Sequence, residues 1–200
     1  MQSFAGAMMR FSNLDLSGAR LVQLERLGDE RGFFARTWCA NEFEAAGLPT
    51  GFVQSSISYN VRAGTIRGMH FQWAPSREGK LVRCLRGAAH DVLLDLRPDS
   101  PSFLRHESLE LTQENRDAVY IPPGVAHGCQ SLSADCEILY QMTDCHQPQL
   151  AHGFRWNDAA FRIEWPLPVT AINERDRTYP DFDRAAYIRE FRRRAAEPRP

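Results

Sequence analysis

The segment spanning residues 64–87 carries the residue types best suited to chemistry. It places Arg67, His70 and Lys80 in two runs typical of adjacent strands, joined by a proline-containing loop at 74–79. An imidazole can remove a proton next to a carbonyl, an ammonium can stabilise the resulting oxyanion, and a guanidinium can hold a phosphate. The segment therefore favours proton abstraction beside a ketone, provided that other segments supply the partners.

The strand that carries two of these residues presents a geometric conflict. Because side chains alternate along a strand, Arg67 and His70 should point to opposite faces. A bulge or a twist in the strand would remove the conflict, and Gly68 is a plausible place for a bulge. The sequence alone leaves the conflict unresolved.

Three residues elsewhere could complete such a site. His127 follows a rigid corner at residues 122–124 and enters a strand. Tyr140 carries a phenol, which can donate one proton from the far side of a pocket. Asp176 lies so far along the chain from His70 that sequence spacing cannot pair them.

Composition excludes several classes of function. With 24 Lys and Arg against 25 Asp and Glu in 200 residues, the chain has no strong field for nucleic acid or an anionic membrane. It has neither a signal-peptide core nor an apolar run long enough for a membrane span, so we expect a cytoplasmic protein. Five cysteines without a CxxC pair indicate reduced thiols rather than a disulfide framework or a zinc knuckle.

The hydrophobic pattern predicts an all-β antiparallel jelly roll in one domain, with a few short helices. Residues 1–18 are expected to be a loosely ordered lead-in, followed by a strand at 20–27 and an edge hairpin at 29–38. A helix is expected at 41–46, capped by Asn41 and closed by Gly47, and a terminal helix at 183–195. The remaining strands are predicted at 52–60, 64–72, 80–86, 90–96, 107–111, 118–121, 129–132 and 136–143.

Nine short motifs, in the same order and over about residues 25–180, resemble the dTDP-4-dehydrorhamnose 3,5-epimerase family. They are DERGFF (29–34), FVQ (52–54), RGMHFQ (67–72), GKLVR (79–83), DVLLDLRPDSPSF (91–103), IPPGVAHG (121–128), ILYQMTD (138–144), WND (156–158) and NERD (173–176). The resemblance implies a metal-free cupin jelly roll without a cofactor, usually a homodimer whose N-terminal strands exchange between subunits. It also implies epimerisation at the carbons flanking the 4-keto group of a nucleotide-linked deoxysugar.

The resemblance further assigns roles to individual residues. His70 would be the base, oriented by Asp176, and Tyr140 the acid on the opposite face of the sugar ring. Lys80 would hydrogen-bond the enolate oxygen. The substrate-binding residues implied are Arg67 and His127 near the diphosphate or sugar, and Arg31 and Gln54 on the nucleotide side. Arg36 and Ser56 are further candidates on the nucleotide side, although there the sequence departs from the family.

The sequence departs from the family where the nucleotide and the sugar would bind. Arg36 stands where a glutamate is usual, and Ser56 where an asparagine is usual. Because an arginine suits an acceptor edge, we hypothesise a CDP- or GDP-linked sugar, unless Arg36 simply faces solvent. Cys145 and His146 replace common aromatic residues, which leaves open whether C3, C5 or both are inverted.

Two competing functions remain open on the sequence alone. The first is a metal-dependent cupin enzyme, in which His70, His127 and Glu78 would form an incomplete ligand set, since Gln72 occupies the usual second histidine position. The second is a sugar-nucleotide-binding module without turnover. The opposed acid and base argue against the second, because binding alone needs neither.

Overall fold

Thirteen strands and three helices make up residues 8–196, the part of the chain that the computed structural model describes. The strands are β1 (Arg10–Asn13), β2 (Arg20–Gln23), β3 (Arg26–Asp29), β4 (Gly32–Ala35), β5 (Gln54–Asn60), β6 (Ile66–Gln72), β7 (Lys80–Arg86), β8 (Ala88–Asp95), β9 (His106–Thr112), β10 (Ala118–Ile121), β11 (Val125–Ser131), β12 (Cys136–Met142) and β13 (Ala151–Gly153). The helices are α1 (Ala40–Ala45), α2 (Glu174–Thr178) and α3 (Arg184–Ala195).

Two large antiparallel sheets face each other. One has the order β1-β2-β10-β7-β12-β5 and the other β13-β6-β11-β8-β9, while β3 and β4 form a separate hairpin. Val82 and Ile138 from the first sheet share a buried cluster with Leu93 and Cys129 from the second. This arrangement confirms the predicted antiparallel jelly roll, whose interior lies between the sheets.

Strand β8 shows how alternation divides the core. Val92 and Leu94 pack on the outer face of their sheet, in a cluster completed by the aromatic residues of the C-terminal segment. Leu93 points into the interior between the sheets. Alternation therefore sends successive side chains of β8 into two different buried clusters.

Helix α3 covers the outer face of the five-stranded sheet. Asp183 caps it by accepting a hydrogen bond from the backbone N–H of Ala186 (2.9 Å). Tyr187 is buried in the aromatic cluster, and its hydroxyl donates to the carbonyl of Leu96 (2.7 Å). No helix within residues 8–196 has the length and apolar character needed to cross a membrane.

The N-terminal region differs from the prediction in two places. Residues 1–7 of the expected lead-in lie outside the described residues, but 10–13 form β1, which pairs with β2. The expected strand at 20–27 is two strands, because β2 belongs to the six-stranded sheet and β3 to the hairpin. The edges of sheets carry weak sequence signals, since only part of each strand is buried.

Helix α1 starts one residue earlier than predicted, and its cap is different. Cys39 occupies the N-cap position without a side-chain hydrogen bond, so Asn41 is not the cap. The side chain of Glu42, in the first turn, instead accepts from the backbone N–H of Met9 (2.7 Å). Gly47 closes the helix as predicted, with φ +69°.

Strand β6 contains a bulge. His70 pairs with His127 and Arg67 with Cys129, so two residues of β6 stand opposite Gly128 alone. Gly68 has φ +127°, a backbone conformation that residues with a Cβ rarely adopt. The bulge lets Arg67 and His70 line the same cavity, which resolves the conflict posed by simple alternation.

Replacing Gly68 with alanine is expected to destabilise the protein by about 3 kcal/mol or more, from backbone strain and overpacking together. A Cβ at this position would overlap the Cα of Gly128 and lie 2.9 Å from the carbonyl oxygen of His127. Gly51→Ala is the matched control, since a Cβ there meets nothing within 4 Å. Urea denaturation measures both variants, and equal midpoints would contradict the steric argument.

Candidate active site

A cavity of about 440 Å³ opens between the two sheets. Strands β5, β7 and β12 supply residues on one side, and β6, β11 and β13 on the other, with α2 contributing at the edge. Its lining includes eight of the ten predicted site residues: Gln54, Ser56, Arg67, His70, Lys80, His127, Tyr140 and Asp176.

His70 and Asp176 form a hydrogen-bonded pair. His70 Nε2 lies 2.7 Å from Asp176 Oδ1, and the imidazole is 31 % exposed toward the cavity while the carboxylate is fully buried. A carboxylate can only accept, so Nε2 carries the proton. In the neutral ring, Nδ1 is then the nitrogen that can take a proton from a ligand.

The position of Asp176 is fixed by the start of α2. The side chain of Asn173 accepts from the backbone N–H of Asp176 (2.7 Å), and Asp176 Oδ2 accepts from the backbone N–H of Gly68 (3.2 Å). Burial alone would raise the pKa of Asp176, but the hydrogen bonds from His70 and Gly68 outweigh it and hold the pKa below its usual value. The carboxylate is therefore ionised and orients the imidazole.

Tyr140 reaches the cavity from β12. Its hydroxyl lies 3.3 Å from Ser58 Oγ and 3.8 Å from Cys129 Sγ. Burial is the main cause that raises the pKa of Tyr140 well above its ordinary value, and Cys129 adds to it. The phenol therefore keeps its proton, as a proton donor must.

Lys80 begins β7 and turns into the cavity rather than into bulk water. Its side chain is 14 % exposed, and Nζ lies 2.7 Å from Glu78 Oε1. An ammonium has three donors, so this ion pair leaves two for a ligand. Lys80 can thus stabilise an oxyanion formed in the cavity.

A second histidine–carboxylate pair lies deeper in the barrel. His127 Nε2 lies 2.7 and 3.0 Å from the two oxygens of Asp91, a residue with no exposed surface. The His127 ring meets Tyr140 edge-on, with centroids 5.8 Å apart. The sequence prediction included His127 but missed Asp91 as its partner, although alternation places this carboxylate on the same inward face as Leu93.

Two arginines border the cavity. Arg67 Nε donates to Asn60 Oδ1 (2.7 Å), which fixes the guanidinium beside the entrance. Arg175 lines the cavity with a side chain that is 59 % exposed. The prediction missed Arg175, although it directly precedes Asp176 in the NERD motif.

The segment that contains Cys145 and His146 spans the cavity between the sheets. The backbone N–H of His146 donates to Gln54 Oε1 and that of Gln147 to Gln72 Oε1, both at 2.7 Å. Gln54 belongs to β5 and Gln72 to β6, so the two glutamines hold the segment from opposite sides. The amide nitrogen of Gln54 remains available to donate to a ligand.

Arg31 and Arg36 do not line the cavity of their own chain. Arg31 lies at the tip of the β3–β4 hairpin, is 84 % exposed and pairs with Asp29. Arg36 pairs with Glu42 of α1, so its guanidinium is engaged by a carboxylate. Within one chain, the expectation that these arginines contact the substrate therefore does not hold, because the hairpin extends away from the interior.

The donors considered for a metal site have other partners. Glu78 pairs with Lys80 and accepts a hydrogen bond from Gln72 Nε2. His70 is paired with Asp176, and His127 with Asp91. Within residues 8–196, no group of three or more His, Cys, Asp and Glu side chains has the arrangement of a metal site.

Comparison with known proteins identifies similar chains. A family model described as dTDP-4-dehydrorhamnose 3,5-epimerase matches residues 13–184. The dTDP-4-dehydrorhamnose 3,5-epimerase of Sinorhizobium fredii is 38 % identical over 175 residues, which is 87 % of this chain and 90 % of that protein.

Two solved structures are also similar. The dTDP-4-dehydrorhamnose 3,5-epimerase of Bacillus anthracis, solved with TDP and PPi bound, has a TM-score of 0.84 at 33 % identity and covers 87 % of this chain and 99 % of its own. A dTDP-6-deoxy-D-glucose-3,5-epimerase of Legionella pneumophila, in complex with dTDP-4-keto-L-rhamnose, has a TM-score of 0.78 at 33 % identity and covers 84 % and 89 %.

Proposed function

The chain belongs to the dTDP-4-dehydrorhamnose 3,5-epimerase family, and we propose that it is an isomerase that epimerises C3 and C5 of a dTDP-linked 4-keto-6-deoxyhexose. One observation carries the proposal. His70, Tyr140 and Lys80, which are a base, an acid and an oxyanion partner, line a single cavity. A binding module would need none of this proton-transfer machinery.

The first step is removal of a proton from a carbon next to the 4-keto group. His70 Nδ1 takes this proton, because Nε2 is committed to Asp176. The imidazolium that forms is stabilised by the buried carboxylate at 2.7 Å. The electron pair of the broken C–H bond moves into the enolate, whose negative charge develops on the former keto oxygen.

Lys80 stabilises the negative charge that develops on the enolate oxygen. Its ammonium lies in a largely enclosed cavity, where a charge–charge interaction is stronger than in water. This interaction grows as the proton leaves, so it lowers the barrier rather than only tightening binding.

Inversion requires a proton from the other face of the ring, and Tyr140 supplies it. The phenol retains its proton because burial raises its pKa. After donation, a solvent proton must reload the tyrosine, while His70 releases the proton that it removed. The enzyme thus returns to its starting state without a cofactor.

The diphosphate is bound by the cationic side of the cavity. Arg67, held by Asn60, and the exposed Arg175 can each offer a guanidinium to phosphate oxygens. His127 lies beside Tyr140 and contacts the sugar or the phosphate next to it. Gln54 and Ser56, on β5, extend the site toward the nucleotide.

Thymidine diphosphate is the nucleotide that we propose, in place of the cytidine or guanosine forms favoured by Arg36 in the sequence. The guanidinium of Arg36 pairs with Glu42, so it is not arranged to donate to the hydrogen-bond acceptors of a cytosine or guanine base. The relative from Bacillus anthracis was solved with TDP bound, which supports the same choice.

Exchange with heavy water tests the function. We expect the wild-type protein to incorporate deuterium at C3 and C5 of a dTDP-linked 4-keto-6-deoxyhexose, measured by the loss of the two proton signals in NMR. Absence of exchange at both carbons would refute epimerase chemistry. Faster exchange with the CDP- or GDP-linked sugar would restore Arg36 as a reader of the base.

We also propose a homodimer, in which the β3–β4 hairpin of one subunit approaches the cavity of the other. Strand β5 is the last strand of its sheet, and Val53, Ile57 and Val61 on or beside it are about 60 % exposed. The hairpin exposes Phe33 and Phe34 about half. Apolar surface of this extent is typical of an interface, and a second copy would bring Arg31 and Arg36 to the nucleotide side.

Ile57→Asp is expected to convert the dimer into monomers, since it places an uncompensated charge in the apolar face. Sedimentation velocity measures the change as a halving of the mass. Ser108→Asp is the matched control, because it adds the same charge to an exposed position of β9, the edge strand of the other sheet. A monomeric wild type, or an Ile57→Asp variant that stays dimeric, would contradict this interface.

A further inference from the structure

Lys80 is the only lysine in the sequence, since every other Lys or Arg position holds an arginine. A lysine carries a compact ammonium with three rotatable donors on a flexible stem, whereas an arginine presents a fixed planar fork. The direction in which Lys80 points its donors therefore depends on the groups that it contacts.

The other charged groups near Lys80 are cations or carboxylates that are engaged elsewhere. Arg67 and Arg175 line the same cavity. Two nearby carboxylates are already engaged, because Asp176 pairs with His70 and Asp91 with His127. Glu78 is the carboxylate that contacts Lys80 directly, at 2.7 Å.

The carboxylate of Glu78 is itself fixed. Its side chain is only 6 % exposed, and Oε2 accepts a hydrogen bond from Gln72 Nε2 while Oε1 faces Lys80. Gln72 is held in turn by the backbone N–H of Gln147. An unbroken set of hydrogen bonds thus connects the 145–147 segment, through Gln72 and Glu78, to the ammonium.

We propose that Glu78 is a positioning residue for Lys80: its carboxylate holds the ammonium in an ion pair and directs the two remaining N–H donors toward the keto oxygen of the substrate. The inference rests on the proposed role of Lys80 at the enolate. It also gives Glu78 a role in the reaction beyond holding the 74–79 loop.

Acetylation with acetic anhydride tests, in the substrate-free protein, whether Glu78 holds the amine of Lys80. Only the neutral amine reacts, and Lys80 is the single lysine, so one peptide reports its state, with the N-terminal amine as the internal reference. We expect Lys80 to react about tenfold faster in Glu78→Gln than in the wild type at the same pH, because the neutral amide cannot hold the amine in an ion pair. Glu78→Asp keeps the charge and should react more slowly than Glu78→Gln.

Steady-state kinetics of heavy-water exchange test whether Glu78 directs the donors of Lys80 toward the substrate oxygen. We expect Glu78→Gln to lower kcat by about tenfold with little change in KM, because Lys80 acts on the enolate rather than on the bound ketone. A loss confined to KM would overturn this part of the proposal, as would an unchanged kcat.

Asp144→Asn separates the proposal from a structural role of Glu78 in the loop. Asp144 Oδ2 holds the same loop, accepting from Ser76 Oγ (2.9 Å) and from the backbone N–H of Arg77 (3.1 Å). We expect wild-type acetylation of Lys80 in this variant. Equal acetylation in wild type and Glu78→Gln, or the same acceleration in Asp144→Asn, would refute the role of Glu78. Absence of exchange in the wild type would instead refute the proposed function and leave the acetylation result standing.

Discussion

Replacing His70 with alanine is expected to lower deuterium exchange at both C3 and C5 by roughly a thousandfold or more, within the range known for loss of a general base. The variant keeps Asp176 and Lys80 but has no group at the position of Nδ1. Both carbons are affected because one imidazole faces the cavity from β6, opposite the strand that carries Tyr140. NMR of the sugar protons in heavy water measures each carbon separately.

His106→Ala is the control for the loss of an imidazole. His106 is exposed on β9, the edge strand of the five-stranded sheet, and does not line the cavity. It should exchange at the wild-type rate. Unchanged exchange in His70→Ala would remove His70 as the base, whereas loss at one carbon alone would require a second base.

Replacing Tyr140 with phenylalanine is expected to separate exchange from inversion. The ring remains, but the hydroxyl near Ser58 and Cys129 is lost, so no proton is delivered to the second face. His70 still removes a proton and returns a deuteron to the face from which it came. We expect exchange to continue within about tenfold of wild type while inversion falls by a hundredfold or more, typical of the loss of a general acid.

The measurement for Tyr140→Phe combines two signals from one sample. Deuterium content reports enolate formation, and the proton coupling pattern of the product reports configuration. Ser58→Ala is the matched control, because it removes the partner of the phenol at 3.3 Å without removing the phenol. Inversion at the wild-type rate in Tyr140→Phe would assign the acid to another group.

Much of the barrel follows from the sequence. Strand β8 buries both faces, but the alternation of its sequence puts Val92 and Leu94 on one face and Leu93 on the other, as the structure has them. The weak elements are those that bury little or are very short. Strand β1 has no buried residue, and β13 has three residues, so neither gives a period long enough to recognise.

The site is less accessible from the sequence than the fold. Contact between His70 and Asp176 depends on how α2 docks against β6, which no local pattern encodes; only the resemblance to a family implied it. The bulge at Gly68 was predictable, because glycine lies between two residues whose side chains had to share a cavity. The pairing of Arg36 with Glu42 was not, since it depends on the packing of α1 against the N-terminal strands.

The bulge of β6 has a consequence for the length of substrate that the cavity accepts. One strand carries both Arg67 and His70, so backbone geometry limits the span between the guanidinium and the imidazole. With the roles proposed above, in which Arg67 binds the diphosphate and His70 is the base, that span selects for the distance from the phosphate to the sugar ring. We then expect a hexose joined through one phosphate to hold its ketone short of the base, and one joined through three phosphates to overshoot it.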